Sequence, residues 1–143
     1  MNDPYRLQRF VDAQQPVYER ALAELRAGNK QSHWMWFIFP QVAGLGHSDM
    51  AQRYAVCGLD EARAYLAHPT LGQRLLECCQ AVLQHIGSSP RAILGSPDDM
   101  KLRSSMTLFD RAAPQCEEFR LVLDGFYDGK DDEATLHLLE RIG

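Results

Sequence analysis

Three short stretches set polar side chains into strongly apolar surroundings, the composition from which small-molecule pockets are built. In the first, Lys30, His33 and Gln41 flank six consecutive large apolar residues, Trp34-Met35-Trp36-Phe37-Ile38-Phe39. The second is the glycine-punctuated loop from Gly44 through Gly46 to Ser48, with Asp49, Arg53 and Tyr54 just beyond it. The third is Asp99, Lys101, Ser104 and Ser105. In a pocket made from these pieces, Trp34 or Trp36 would stack on a ring. Lys30, Gln41, Gly44, Gly46, Ser48, Arg53, Tyr54, Lys101, Ser104 and Ser105 would orient it through donors and charge. His33, Asp49 and Asp99 are the candidates for moving a proton there. A plainer alternative puts both tryptophans in the core, pairs Lys101 with Asp98 in solvent, and gives His33 a backbone hydrogen bond. The pocket reading expects all three pieces on one side of the molecule, and Trp34 and Lys101 on opposite faces would refute it.

Other chemistries find less support. The pair His33 and His47 matches no zinc framework, Cys78 and Cys79 are adjacent, and no Cys-x-x-Cys occurs, so neither a metal nor a cofactor is expected. No Gly-x-Ser-x-Gly elbow is present, and no cysteine has a histidine beside it in sequence to activate it. Gly44-Leu45-Gly46 could offer backbone N–H groups to an anion, although Gly-x-Gly is usually only a turn. The net charge of −4, with no basic block, argues against nucleic acid as a partner. The longest apolar run, residues 34–39, is far short of the ~20 residues of a membrane helix, and no signal pattern opens the chain. The expectation is a cytoplasmic protein with Cys57, Cys78, Cys79 and Cys116 reduced.

The positioning elements read as helices throughout. Asp3-Pro4 looks like a cap followed by proline at the first helical position, with Leu7, Phe10 and Val11 on one face. Tyr18, Ala21, Leu22 and Leu25 recur at helical spacing before the stop at Gly28. Residues 34–39 are apolar on both faces and fit a buried strand or a buried helix equally. No other segment alternates with period two, so a strand would have nothing to pair with, which favours a short helix capped by Ser32 and stopped by Pro40. Ser48 should cap a helix running through Tyr54 and Ala55, and Asp60 one over residues 61–67. The longest helix should start after Pro69, with Leu71, Leu75, Cys78, Val82 and Ile86 on its stripe. Ser89-Pro90 and Ser96-Pro97 mark two more starts, the second leading to Leu102, Met106, Phe109 and Ala113. Helices with Phe119, Val122, Leu123 and Phe126, and then with Leu136, Leu139 and Ile142 after an Asp131 cap, complete the chain. The result is an all-α, single-domain irregular bundle of about eight short helices around the buried aromatic segment, spanning residues 1–143.

Four blocks of the sequence resemble the domain-of-unknown-function family 1810. They are Arg9-Phe10-Val11 with Ala13-Gln14, residues 30–41 with Gly44-Leu45-Gly46, Ala64-Tyr65-Leu66-Ala67-His68-Pro69 with Leu71-Gly72, and residues 101–109. The likeness spans nearly the whole chain and implies a mainly helical single domain without an established activity. Some relatives carry the label calpastatin-like, but protease inhibition would call for an exposed, disordered segment that this sequence does not show. A fainter likeness to helical domains that handle ADP-ribose and related N-glycosides implies ring-stacking aromatics and phosphate-binding donors. Together with the polar-on-apolar pieces, it suggests a domain for a nucleotide-like or ADP-ribose-like small molecule, with hydrolysis of an N-glycosidic bond as the reaction class. The rival is a non-catalytic module in which the polar strip and the glycine loop form a protein-binding or self-association face, a homodimer being one form of it.

Overall fold

The helix signals become ten helices over residues 2–142, the part of the chain that the computed structural model describes: α1 (Gln8–Gln14), α2 (Tyr18–Ala27), α3 (Met35–Ile38), α4 (Asp49–Arg53), α5 (Leu59–Ala67), α6 (Leu71–Leu83), α7 (Pro90–Leu94), α8 (Asp98–Ala112), α9 (Glu117–Tyr127) and α10 (Glu133–Ile142). The number exceeds eight because α3, α4 and α7 have only four or five residues each. No strand forms among the described residues; the nearest approach is an isolated bridge between Val42 and Val56.

Phe10, Tyr65, Phe109 and Phe119 are fully buried and form a chain of aromatic contacts through α1, α5, α8 and α9, with ring centroids 5.2, 5.3 and 5.7 Å apart. Each such ring removes enough apolar surface from water to contribute about 1.5–3 kcal/mol. Helix α8, on which α5, α7, α9 and α10 pack, is the longest at 15 residues, ahead of the 13 of α6. The aromatic run sits beside this chain, with Trp34, Met35, Phe37, Ile38 and Phe39 buried.

Several helix starts differ from the sequence signals. Asp3 is not adjacent to a helix, yet its carboxylate accepts from the N–H groups of Leu7 and Gln8 at 2.8 and 3.0 Å. Gly58, not Asp60, precedes α5, and the buried Glu61 in its first turn accepts from the Cys57 N–H. Pro97 rather than Ser96 precedes α8, and Asp132 rather than Asp131 takes the Thr135 N–H. Helix α4 ends at Arg53 because Val56 turns away to bond the Gln41 carbonyl. Ile86 lies beyond α6 and is 58% exposed. Ser48 and Ser89 do cap, accepting from the N–H groups of Ala51 and Ala92.

Ser32 caps nothing; its hydroxyl donates to Glu24 of α2. That carboxylate also accepts from the Gln31 and Ser32 N–H groups and from the Trp34 indole Nε1, each at 2.9–3.0 Å. Burial pushes the Glu24 carboxyl up, but the hydrogen bonds from Ser32, Gln31 and Trp34 outweigh it and hold it at about 2, against an ordinary 4.5. A depressed carboxyl contributes stability above its unfolded pKa and loses it as pH falls through the folded value. The stability advantage of the wild type over Glu24→Gln should therefore shrink by about 1–2 kcal/mol between pH 4.5 and 2, allowing for solvent screening of a partly exposed group. Urea melts at the two pH values measure it, and a constant advantage would contradict the assignment.

Candidate functional site

The loop after α3 builds a pocket against α4. It is tied down at Val56, where the Ala43 N–H donates to the Val56 carbonyl at 2.8 Å and the Val56 N–H to the Gln41 carbonyl at 2.9 Å. Gly44 adopts φ +104°, in the left-handed region that favours glycine. Gly46 approaches α4 so closely that a Cβ there would lie 2.5 Å from that of Ala51. No described residue accepts from the N–H of Gly44 or Gly46. The resulting cavity of about 170 Å³ is lined by Trp36, Gln41, Val42, Ala43, Gly44, Gly46, Ala51, Gln52, Tyr54 and Ala55. Trp36 and Tyr54 contribute aromatic surface, and Gln41 and Gln52 contribute amides, that of Gln52 spending one donor on the His47 carbonyl at 2.9 Å.

Five residues expected to bind a ligand, Trp36, Gln41, Gly44, Gly46 and Tyr54, thus meet in one pocket. Lys101 stands beside it, its ammonium 5.3 Å from the Trp36 ring centroid. The two lysines are brought together by Asp98 at the start of α8, the residue that the plainer alternative pairs with Lys101. One of its carboxylate oxygens lies 2.8 Å from Lys30 Nζ and the other 3.5 Å from Lys101 Nζ. Gln52 was missed; its only sequence signal is its place on α4, four residues after the Ser48 cap.

The remaining expected residues lie elsewhere. Trp34 is fully buried, its Nε1 bonded to Glu24, so it has no face to offer a ring. Lys30 is consumed internally: besides Asp98, it donates to the Ser32 carbonyl at 2.6 Å and lies 4.9 Å from the Trp34 ring centroid. Ser104 is buried and donates to the Met100 carbonyl, and Ser105 is fully buried with a hydroxyl that finds no partner. They form no ligand strip, because α8 is covered on that side too, and a Ser105-based interaction face is ruled out by the same burial. Ser48 uses its hydroxyl as a cap, and Arg53 projects into a separate groove. None of the three proton-moving candidates lines the pocket: His33 and Asp49 are exposed, and Asp99, on α8, has one buried oxygen without a partner.

The thiols are poor nucleophiles. Burial pushes Cys78 up to about 12 and Cys79 well above its ordinary value, both inside the core. Among the described residues no three His, Cys, Asp or Glu side chains gather closely enough to hold a metal ion, and no helix is long and apolar enough to cross a membrane.

With this geometry in place, three comparisons bear on the chain. A family model described as a protein of unknown function, DUF1810, matches residues 4–139. The crystal structure of the conserved hypothetical protein Rv1873 from Mycobacterium tuberculosis superposes with a TM-score of 0.95 at 52% identity, over 96% of this chain and 99% of that one. No curated protein matches.

Proposed function

The chain belongs to the DUF1810 family of proteins of unknown function, and from that premise we propose that it is a small-molecule-binding domain whose Trp36 pocket takes the planar ring of a nucleotide-like ligand. One observation carries the reading: α3, the loop after it and the end of α4 bring two aromatic rings, two side-chain amides and the glycines Gly44 and Gly46 to the wall of a single cavity. A heteroaromatic ring needs that set, a face to stack on and complementary groups along its edge. At about 170 Å³ the cavity is smaller than the roughly 300 Å³ at which drug-sized pockets begin, so it holds one ring and leaves the rest of a dinucleotide outside.

Binding without turnover is the better-supported form of this reading. Hydrolysis of a glycosidic bond needs an acid or base within roughly 3 Å of the reacting atom, and the pocket wall holds neither carboxylate nor histidine.

A thermal-shift panel of nucleosides, nucleotides, dinucleotides and sugar phosphates tests it. A ligand at about 100 times its Kd adds about 2.7 kcal/mol to stability, a readily visible rise in Tm. We expect base-containing members to raise the Tm of the wild type and to have no effect on Trp36→Ala, which loses only a half-buried side chain. A panel without a single shift would reject the reading.

A further inference from the structure

We infer that the groove between α1 and α4, which adjoins the Trp36 pocket across Gln52 and Tyr54, is a phosphate-binding subsite, and hence that the ligand is a nucleoside phosphate rather than a base or nucleoside. The groove is lined by Arg6, Arg9, Asp12, Gln52, Arg53 and Tyr54, and two of these, Gln52 and Tyr54, also line the pocket. The identity of the ligand rests on the ring reading of that pocket; the anion site stands on its own observations.

The first is charge. On a chain of net charge −4, three guanidiniums face one groove with a single carboxylate, Asp12, among its walls. Arg9 is neutralised by Glu61 at 3.0 Å. Among the described residues neither Arg6 nor Arg53 has a carboxylate within 4.0 Å, and Asp12 instead accepts from the Gln8 amide at 3.0 Å. Two exposed guanidiniums therefore remain without a counter-ion beside one carboxylate.

The second is rigidity. Arg9 Nε donates to the Arg53 carbonyl at 2.9 Å and its Nη1 to the Arg6 carbonyl at 3.0 Å, so one half-buried side chain ties together the backbones from which both free arginines spring. Two guanidiniums rising from backbones tied together in this way present paired N–H donors that match phosphate oxygens.

The third is the backbone of Arg6, at φ 52°. Glycine or asparagine would occupy that left-handed conformation at lower cost, and an arginine held there directs a long cationic side chain onto the groove. The two cavities together fit a ligand whose ring enters beside Trp36 while its phosphate lies between Arg6 and Arg53.

The test titrates the whole protein with inorganic pyrophosphate, following arginine Nε and backbone amide resonances by NMR. It is repeated in Arg53→Ala, in Arg6→Gly, which suits the left-handed backbone, and in the double variant, with thermal melts confirming the fold. We expect saturable shifts at Arg6, Gln52 and Arg53 that weaken with added salt, and at least tenfold weaker binding in the double variant. Absence of saturable shifts, or shifts unchanged in the double variant, overturns the anion site. In parallel, affinities for a nucleoside and its 5′-diphosphate should differ at least tenfold in the wild type and converge in the double variant. Equal wild-type affinities overturn the subsite while leaving the ring pocket standing. Pyrophosphate binding with no response of Trp36 or Gln41 to either compound overturns the ring reading and the nucleoside-phosphate assignment together.

Discussion

Replacing Arg9 by methionine should lower the unfolding free energy by about 3–5 kcal/mol, a large share of the stability of a domain this size. The guanidinium makes five hydrogen bonds, to the carbonyls of Tyr5, Arg6, Arg53 and Ala55 and to the Glu61 carboxylate. It joins the segment before α1, the end of α4 and the start of α5. Glu61 is only 3% exposed, and without Arg9 its charge would be left with the Cys57 N–H as its remaining partner. An uncompensated buried charge costs more than the pair itself contributes, so most of the loss should return in the double variant Arg9→Met with Glu61→Met. Urea denaturation of the four proteins reads both effects, and a single-variant loss below about 1 kcal/mol would contradict the clamp.

The second large effect is expected at Trp34, where alanine should cost about 3–5 kcal/mol. The indole is fully buried, lies 6.4 Å from the Phe39 ring, carries Lys30 on its face and satisfies Glu24 through its Nε1. Trp34→Phe keeps most of the packing and removes the donor, for about 1–3 kcal/mol. Ligand affinity should be unchanged in Trp34→Phe. A Trp34→Ala variant that melts like the wild type but no longer binds would instead make Trp34 part of the site.

These two residues also show where the sequence could be read and where it could not. Helix α2 was legible because Tyr18, Ala21, Leu22 and Leu25 define a face and Gly28, at φ 70°, supplies a left-handed stop. Those signals are local, and so are the caps at Ser48 and Ser89. The caps made by Asp3 and Glu61 depend on the path of the loop before each helix, which local pattern does not encode. The aromatic run poses the same difficulty: Trp34 and Trp36 stand on either side of Met35 in one apolar run, and only the path into α3 sends one toward Glu24 and leaves the other half-buried at the pocket wall. Ser104 and Ser105 read as a polar strip with Lys101 because they share a helical face. That face was expected to meet a pocket, but the packing of four helices on α8 covers it. Lys30 looked available for the opposite reason: the carboxylate that takes its charge, Asp98, comes from a distant part of the chain. The loop around Gly44 and Gly46 was legible as a tight turn because the close approach of Gly46 to Ala51 of α4 demands glycine, whereas the groove at Arg6 draws on two segments with no common motif.

The chain has two tryptophans, so Trp34→Phe leaves Trp36 as the sole indole and makes its fluorescence a direct report on the pocket. The decisive measurement is a titration of that variant with a nucleoside diphosphate while Trp36 emission is followed. Stacking of a base beside Trp36 predicts saturable quenching, lost when Gln41→Ala is added. Emission that stays flat to millimolar ligand, or quenching indifferent to Gln41, would contradict a ring-binding pocket at this site.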